Sequence, residues 1–291
     1  MPASTEGGAR GRVRAMKKRT PLRVAIYGKG GVGKSVVATG LSVVLARSGR
    51  KVLHVGCDPK HDSAVRLLPP GVKLRTVMEV LGDAPGGGGQ EPIVLEGRLG
   101  IHCCESGGPQ PGLGCGGRGV ARMLEYMEET GLMEPGRYDA IVFDVLGDVV
   151  CGGFAAPLRL GFADRVVIVT SEEPMALYAA NNITRAVTAY QDNGVVLAGL
   201  VANLRGSDAP RDKLRRFARR LSTRILATIP RDPQIQESER RRSTVVERAP
   251  GSASSRAFRA LAAALERTDK RRCVLPTPME DEEFYRFIDS W

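Results

Sequence analysis

Gly28-Lys29-Gly30-Gly31-Val32-Gly33-Lys34-Ser35 fits G-x-x-x-x-G-K-[ST], the spacing of a phosphate-binding loop. Backbone N–H groups of Gly28, Gly30, Gly31, Val32 and Gly33 can turn inward around phosphate oxygens, and a following helix would present its positive end to them. In such a loop Lys34 reaches the β- and γ-phosphates and Ser35 offers its hydroxyl to Mg²⁺. Further along, Cys57-Asp58-Pro59-Lys60-His61-Asp62-Ser63 follows an apolar run, at the end of a strand where ligands of open α/β sheets collect. Asp58 is a candidate to orient or activate an attacking water, and Asp62 a candidate for a Mg²⁺-linked switch. Lys60 and His61 read as surface groups. Asp144 closes the run Ala140 to Phe143 and suits a carboxylate holding Mg²⁺ through water, with Gly147 and Asp148 placed to sense a γ-phosphate. Acids at strand ends also serve as helix caps, which is the plainer reading of Asp58 and Asp144.

A second chemistry is written in cysteine. Cys115-Gly116-Gly117 and Cys151-Gly152-Gly153 share one local setting, a thiol followed by a glycine pair that lets backbone approach inorganic sulfide. A 4Fe-4S cluster takes four thiolates, so Cys115 and Cys151 are half a set, and a symmetric dimer with the cluster on its two-fold axis would complete it. Two ordinary cysteines beside turns is the competing reading. Cys57, Cys103, Cys104 and Cys273 lack the glycine setting and read as core or incidental residues.

These residues need elements to hold them. Leu22 to Tyr27 reads as a strand running into the glycine loop, and Ser35 to Ala46 as a helix ended near Gly49. Further strands are expected at Lys51 to Gly56, Leu99 to Cys104, Ala140 to Phe143, Arg165 to Thr170, Val195 to Ala202 and Ile225 to Ile229. Helices are expected at Thr76 to Leu81, Val120 to Thr130, Leu177 to Tyr190 and Arg211 to Leu221, with Pro85 to Gly89 a surface loop. The alternation predicts one α/β P-loop NTPase domain, a mostly parallel sheet covered by helices on both faces. We expect a basic tail over 1–21, the domain over 22–270 and a carboxyl-terminal extension over 271–291.

Composition sets the outer limits. The chain has 291 residues with 42% hydrophobic and 26% charged, enough for a substantial core, and no apolar run long enough to span a membrane. The amino terminus lacks the apolar stretch of a secretory signal, so a cytoplasmic protein is expected. Six cysteines are too sparse for a disulfide scaffold. The net charge of +11 is concentrated in residues 1–23 and 205–248, away from the glycine loop and the two cysteine-glycine motifs, and reads as solvated surface rather than a nucleic-acid or membrane site.

Taken together, Gly28 to Ser35, Cys57 to Ser63, Glu105-Ser106-Gly107-Gly108-Pro109, Gly114 to Gly119 and Asp144 to Phe154 resemble the nitrogenase iron protein family. Tyr178-Ala179-Ala180-Asn181-Asn182 and Pro230-Arg231-Asp232 extend the likeness, which runs from about Leu22 to the carboxyl terminus. Lys29, one residue after the first glycine, marks the deviant Walker A subclass, in which such a lysine reaches the nucleotide of the other subunit. The resemblance implies a homodimer with one bridging 4Fe-4S cluster and two MgATP sites. It implies ATP-gated delivery of low-potential electrons to a separate nitrogenase-like catalytic heterotetramer, with a ferredoxin or flavodoxin as donor. Asn203, Gln236 and Glu239 fall where the family holds adenine, and Arg118 where some members carry a regulatory ADP-ribose at the docking face. Val36-Val37 in place of a threonine pair, the basic charge and the long tail depart from the nitrogenase pattern and point toward the methylthio-alkane reductase branch. True dinitrogenase reductase and the dark-operative protochlorophyllide reductase iron protein are the neighbouring readings. A metal-free partitioning or positioning ATPase on the same loop is the alternative from another class.

Overall fold

A computed structural model describes residues 21–82, 92–108, 116–147, 152–153, 155–159 and 161–291. Asp148, Cys115 and Cys151 lie outside the described residues, as do the tail 1–20 and the expected loop Pro85 to Gly89.

Eight strands form one sheet in the order β3-β4-β2-β5-β1-β6-β7-β8. They are β1 (Leu22–Tyr27), β2 (Val52–Cys57), β3 (Leu95–Glu96), β4 (His102–Glu105), β5 (Ala140–Val145), β6 (Arg165–Thr170), β7 (Val196–Asn203) and β8 (Ile225–Ile229). All neighbours pair in parallel except β3 with β4. Parallel strands buried on both faces read as continuous apolar runs, which is why β1 and β5 stand out in the sequence. Alternation splits β1 between two cores. Ala25 and Tyr27 join the layer formed with Val120, Met123, Leu177 and Phe217; Val24 and Ile26 join the layer formed with Val37, Leu41, Phe258 and Leu261.

The helices are α1 (Lys34–Arg47), α2 (Val77–Gly82), α3 (Gly116–Glu129), α4 (Ala156–Arg159), α5 (Pro174–Ala189), α6 (Arg211–Arg220), α7 (Pro233–Arg240), α8 (Val245–Arg248), α9 (Ala253–Glu266) and α10 (Asp281–Asp289). None of the described helices is long and apolar enough to cross a membrane. The expected strand Leu99 to Cys104 begins only at His102, because Leu99 sits at φ 58° inside a 3₁₀ turn, Arg98–Gly100. The helix expected at Leu177 starts at Pro174, where proline's missing N–H costs nothing in the first turn.

Residues 271–291 close against the domain. Met279 and Phe284 are buried in the first core layer. Asn181 on α5 holds the backbone of Met279 from both sides, its amide donating to the carbonyl and its oxygen accepting the N–H, each at 2.8 Å. Tyr178 meets Phe284 edge to face. The stretch Tyr178 to Asn182 therefore anchors the carboxyl-terminal segment.

Candidate functional site

The loop between β1 and α1 is shaped by backbone contacts. Gly33 caps α1 at φ 99°, a left-handed conformation that a side chain would strain. The Lys34 ammonium donates to its own loop, to the Lys29 carbonyl at 3.1 Å. Asn203, at the end of β7, donates its amide to the Val32 carbonyl at 2.8 Å, and Arg205 donates to the Gly31 carbonyl. Arg205 is itself set by Glu172, whose carboxylate accepts the N–H groups of Arg205 and Gly206 at 2.9–3.2 Å.

This loop forms one wall of a cavity of about 360 Å³ at the carboxyl ends of the strands. Gly30, Gly31, Gly33, Lys34, Ser35, Asp58, Asp62, Asp144, Asn203, Gln236 and Glu239 all line it. Gly28, Lys29 and Val32 belong to the loop but not to the cavity wall. Gly28 packs against the Val169 carbonyl and Val32 is buried in the core. Lys60, expected at the surface, is exposed and also edges the cavity; His61 is exposed at φ 45°. Of the two valines after Ser35, Val36 faces the cavity and Val37 fills the core.

Sequence reasoning missed two cationic residues of the wall. Arg66, in the turn after Ser63, pairs with Glu239 of α7 at 2.5 Å. Arg205 reaches the glycine loop from β7. Both come from segments distant in sequence, and neither has a local signature. Asp232 could have been read from sequence: it caps α7, accepting the Gln234 N–H at 3.0 Å just before Pro233.

Asp144 is the buried acid of the site. It stands next to the end of β5, opposite Gly56 of β2 and Ile26 of β1. Burial pushes its pKa up, while hydroxyl donation from Ser63 and Ser35 and the charge of Lys34 pull the other way. Ser63 donates to its Oδ2 at 2.5 Å. A carboxylate that meets the loop hydroxyl of Ser35 at the mouth of a phosphate cradle fits the oxygen donor set Mg²⁺ takes in such loops.

Glu105 is a second buried acid, one strand over on β4. Its Oε1 accepts the Ala64 N–H at 2.6 Å, while Oε2 has no hydrogen-bond partner among the described residues. Burial, with Asp144, Asp62 and Asp58 adding, pushes its pKa up to about 8. The folded chain therefore holds a proton here that the unfolded chain releases near pH 4.5. That contribution to stability is full below pH 4.5 and is lost as pH rises through about 8. Glu105→Gln keeps the acceptor without the charge. The unfolding free energy of the unmodified chain, from urea titrations, should fall between pH 4.5 and 8 by about 1 kcal/mol per pH unit relative to the variant; parallel pH profiles would contradict the assignment.

From the cavity, backbone packing leads to the cysteine-bearing segments. Pro59 lies between Asp58 and Lys60, and a Cβ built on Gly108 would stand 2.6 Å from the Pro59 Cβ. Gly107 packs its carbonyl against Gly119 of α3. Gly117, in the first turn of that helix, abuts Gly153, where an added Cβ would stand 2.7 Å from the Gly117 carbonyl carbon and 2.8 Å from its oxygen. The glycine pairs that follow Cys115 and Cys151 in sequence are thus brought into backbone contact. Cys57, Cys103 and Cys104 are buried in the core, and burial pushes their thiols up, Cys103 to about 12. Such thiols stay protonated and make poor metal ligands. Arg118 is exposed on α3.

A glycine loop between a central parallel strand and a helix, with a buried acid on the neighbouring strand, defines a P-loop NTPase fold. The same fold is found in the septum site-determining protein MinD from Pyrococcus horikoshii OT3, complexed with Mg-ADP, at TM-score 0.66 and 22% identity over 85% of this chain and 96% of that one. Pyrococcus furiosus cell division ATPase MinD matches at TM-score 0.63 and 24% identity, covering 84% of this chain and 98% of that one. Cobyrinic acid a,c-diamide synthase from Mycobacterium smegmatis, with bound ADP and magnesium, matches at 0.62 and 24%, covering 84% and 94%. Within that fold the chain belongs to the 4Fe-4S iron sulfur cluster binding proteins of the NifH/frxC family, which it matches over residues 22–291.

Proposed function

We propose that this protein is an ATP-dependent iron-sulfur reductase. A homodimer holds one 4Fe-4S cluster between Cys115 and Cys151 of each copy and passes low-potential electrons to a separate nitrogenase-like catalytic component. The observation that carries the reading is the contact of Gly117 with Gly153. Two segments far apart in sequence, each bearing one cysteine before a glycine pair, meet with no room for a side chain. The family match and the Mg-ADP of the neighbour from Pyrococcus horikoshii support the cluster and the nucleotide respectively.

The chain's own residues divide the work as follows. Lys34 and the loop N–H groups hold the phosphates, and Ser35 with Asp144 would hold Mg²⁺. Asp58 orients the attacking water, Asp62 serves a Mg²⁺-linked switch, and Gly147 and Asp148 sense the γ-phosphate. Asn203, Gln236 and Glu239 border the base, and Lys29, which does not line its own chain's cavity, serves the partner's nucleotide. Asp148 and Cys151 are three residues apart in sequence, so hydrolysis can bias the cluster-bearing segment through a very short link. The electron donor is a low-potential ferredoxin or flavodoxin, and within the family we favour a methylthio-alkane reductase partner. Capture of the docked component under nucleotide-trapped conditions identifies it.

Anaerobically purified protein should be a brown dimer with about four iron atoms, paramagnetic after reduction. A colourless, iron-free ATPase would instead support a metal-free positioning ATPase, the alternative from another class, whose fold the Pyrococcus cell division ATPase MinD shares. Glycine substitutions give a sharper check. Gly153→Ala forces a methyl into the Gly117 backbone and should lower the iron content by more than half. Gly152→Ala, where a Cβ would meet nothing within 4 Å among the described residues, should leave iron unchanged. Equal iron in both variants would separate the glycine contact from cluster assembly.

A further inference from the structure

A histidine stands in the middle of β2, a strand otherwise built of apolar residues and glycine. His54 is fully buried, on the face of the strand that packs against α1, and pairs with Val142 two residues before Asp144. Each ring nitrogen meets a hydroxyl. Nδ1 lies 3.0 Å from Ser42 Oγ of α1, and Nε2 lies 2.8 Å from Ser63 Oγ. Ser63 in turn donates to Asp144 Oδ2 at 2.5 Å. Four buried side chains from α1, β2, the segment after Cys57, and β5 form one continuous chain.

Hydrogen accounting fixes its direction. A serine hydroxyl has one hydrogen, and Ser63 gives it to Asp144. Toward His54, Ser63 can therefore only accept, so Nε2 carries the ring hydrogen and Nδ1 accepts from Ser42. Burial keeps the imidazole neutral at ordinary pH, its pKa lowered to about 3. The ring aims an N–H at Ser63 Oγ and so stops its hydroxyl from rotating away from the carboxylate. An apolar residue of the same volume would fill the space and leave that rotor free.

We infer that His54 is a positioning residue for the Mg²⁺ carboxylate: through Ser63 it pins Asp144 in the orientation in which Ser35 also reaches it. The inference rests on the nucleotide-site reading above. Outer contacts of this kind orient the groups that hold a metal, here a carboxylate that would reach Mg²⁺ through water, and their loss typically weakens metal affinity by about 10-fold or more.

The test uses full-length protein, with Mn²⁺ as the probe and ADP as the nucleotide, following free Mn²⁺ by electron paramagnetic resonance. Glutamine at position 54 places an amide donor where Nε2 stands and can still reach Ser63. Asparagine places its amide where Nδ1 stands and reaches only Ser42. Ser63→Ala and His54→Asn should weaken ADP-dependent Mn²⁺ binding by about tenfold, while His54→Gln stays close to the unmodified protein. ADP affinity in excess chelator should be unchanged in all three. Wild-type Mn²⁺ affinity in Ser63→Ala, or equal weakening by His54→Gln and His54→Asn, would overturn the inference and leave His54 as packing. Ser63→Ala removes a single oxygen and decides the matter if the histidine variants do not fold. Absence of ADP-dependent Mn²⁺ binding in the unmodified protein would overturn the nucleotide-site reading itself, and the inference with it.

Discussion

Lys34→Ala is expected to lower ATP hydrolysis by about 10²- to 10³-fold, the loss that follows removal of a preorganised electrostatic contact to developing negative charge. Lys34 is the first residue of α1 and is only 8% exposed, so its stem is packed and its ammonium has little freedom to wander. The bond to the Lys29 carbonyl holds the head over the loop, on the same cavity wall as Ser35 and Asp144. A buried cation beside a buried acid is placed to meet the charge of a triphosphate without solvent rearrangement. The effect should fall on hydrolysis and on nucleotide-dependent electron delivery together. Iron content should be untouched, because the glycine contact between Gly117 and Gly153 does not involve the loop. Hydrolysis at the unmodified rate in the purified variant would remove Lys34 from the phosphate site.

How much of this was legible in the sequence depends on the range of the interaction that makes each feature. The strands that carry the site were readable because a parallel strand buried on both faces is mostly apolar, as β1, β5 and β6 are despite the charged Arg23, Asp144 and Arg165. The glycine loop and the acid of β5 were readable because their spacing is set by local geometry. Edge strand β3 is two residues long and pairs antiparallel, too short to show any period. Helix α9 carried a usable signal in Ser252, which caps it by accepting the Ser255 N–H, and in Phe258, Leu261 and Leu265 on one face. The contributions that could not be read are tertiary. Arg66 gains its role from Glu239, which lies 173 residues away, and Arg205 from Gly31, which lies 174 away. Tyr178 to Asn182 was read only as part of the family likeness; its work, holding Met279 and meeting Phe284, needs the chain end folded back onto α5.

Cys115→Ser should reduce iron from about four atoms per dimer to near zero, and Cys151→Ser should do the same. The size of the effect follows from symmetry. On the proposed reading, one substitution in the gene would remove a ligand from each copy, so the shared centre would lose two of its four thiolates at once. Other cysteines cannot make up the deficit: Cys57, Cys103 and Cys104 are sealed in the core with thiols that burial keeps protonated, and Cys273, in the segment between α9 and α10, has its thiol pushed up by partial burial. Cys103→Ala is therefore the matched control, expected to retain full iron at some cost in stability from the vacated core space. Nucleotide binding should survive in both ligand variants, because the cavity is built on the β1–α1 loop and α7, which neither cysteine belongs to. Together with Lys34→Ala, the result separates two functions housed in one fold: one variant keeps the metal and loses hydrolysis, the other keeps the nucleotide and loses the metal. Full cluster in Cys115→Ser would show that the thiolates come from elsewhere, and with them would go the argument that the protein must be a dimer to do its chemistry.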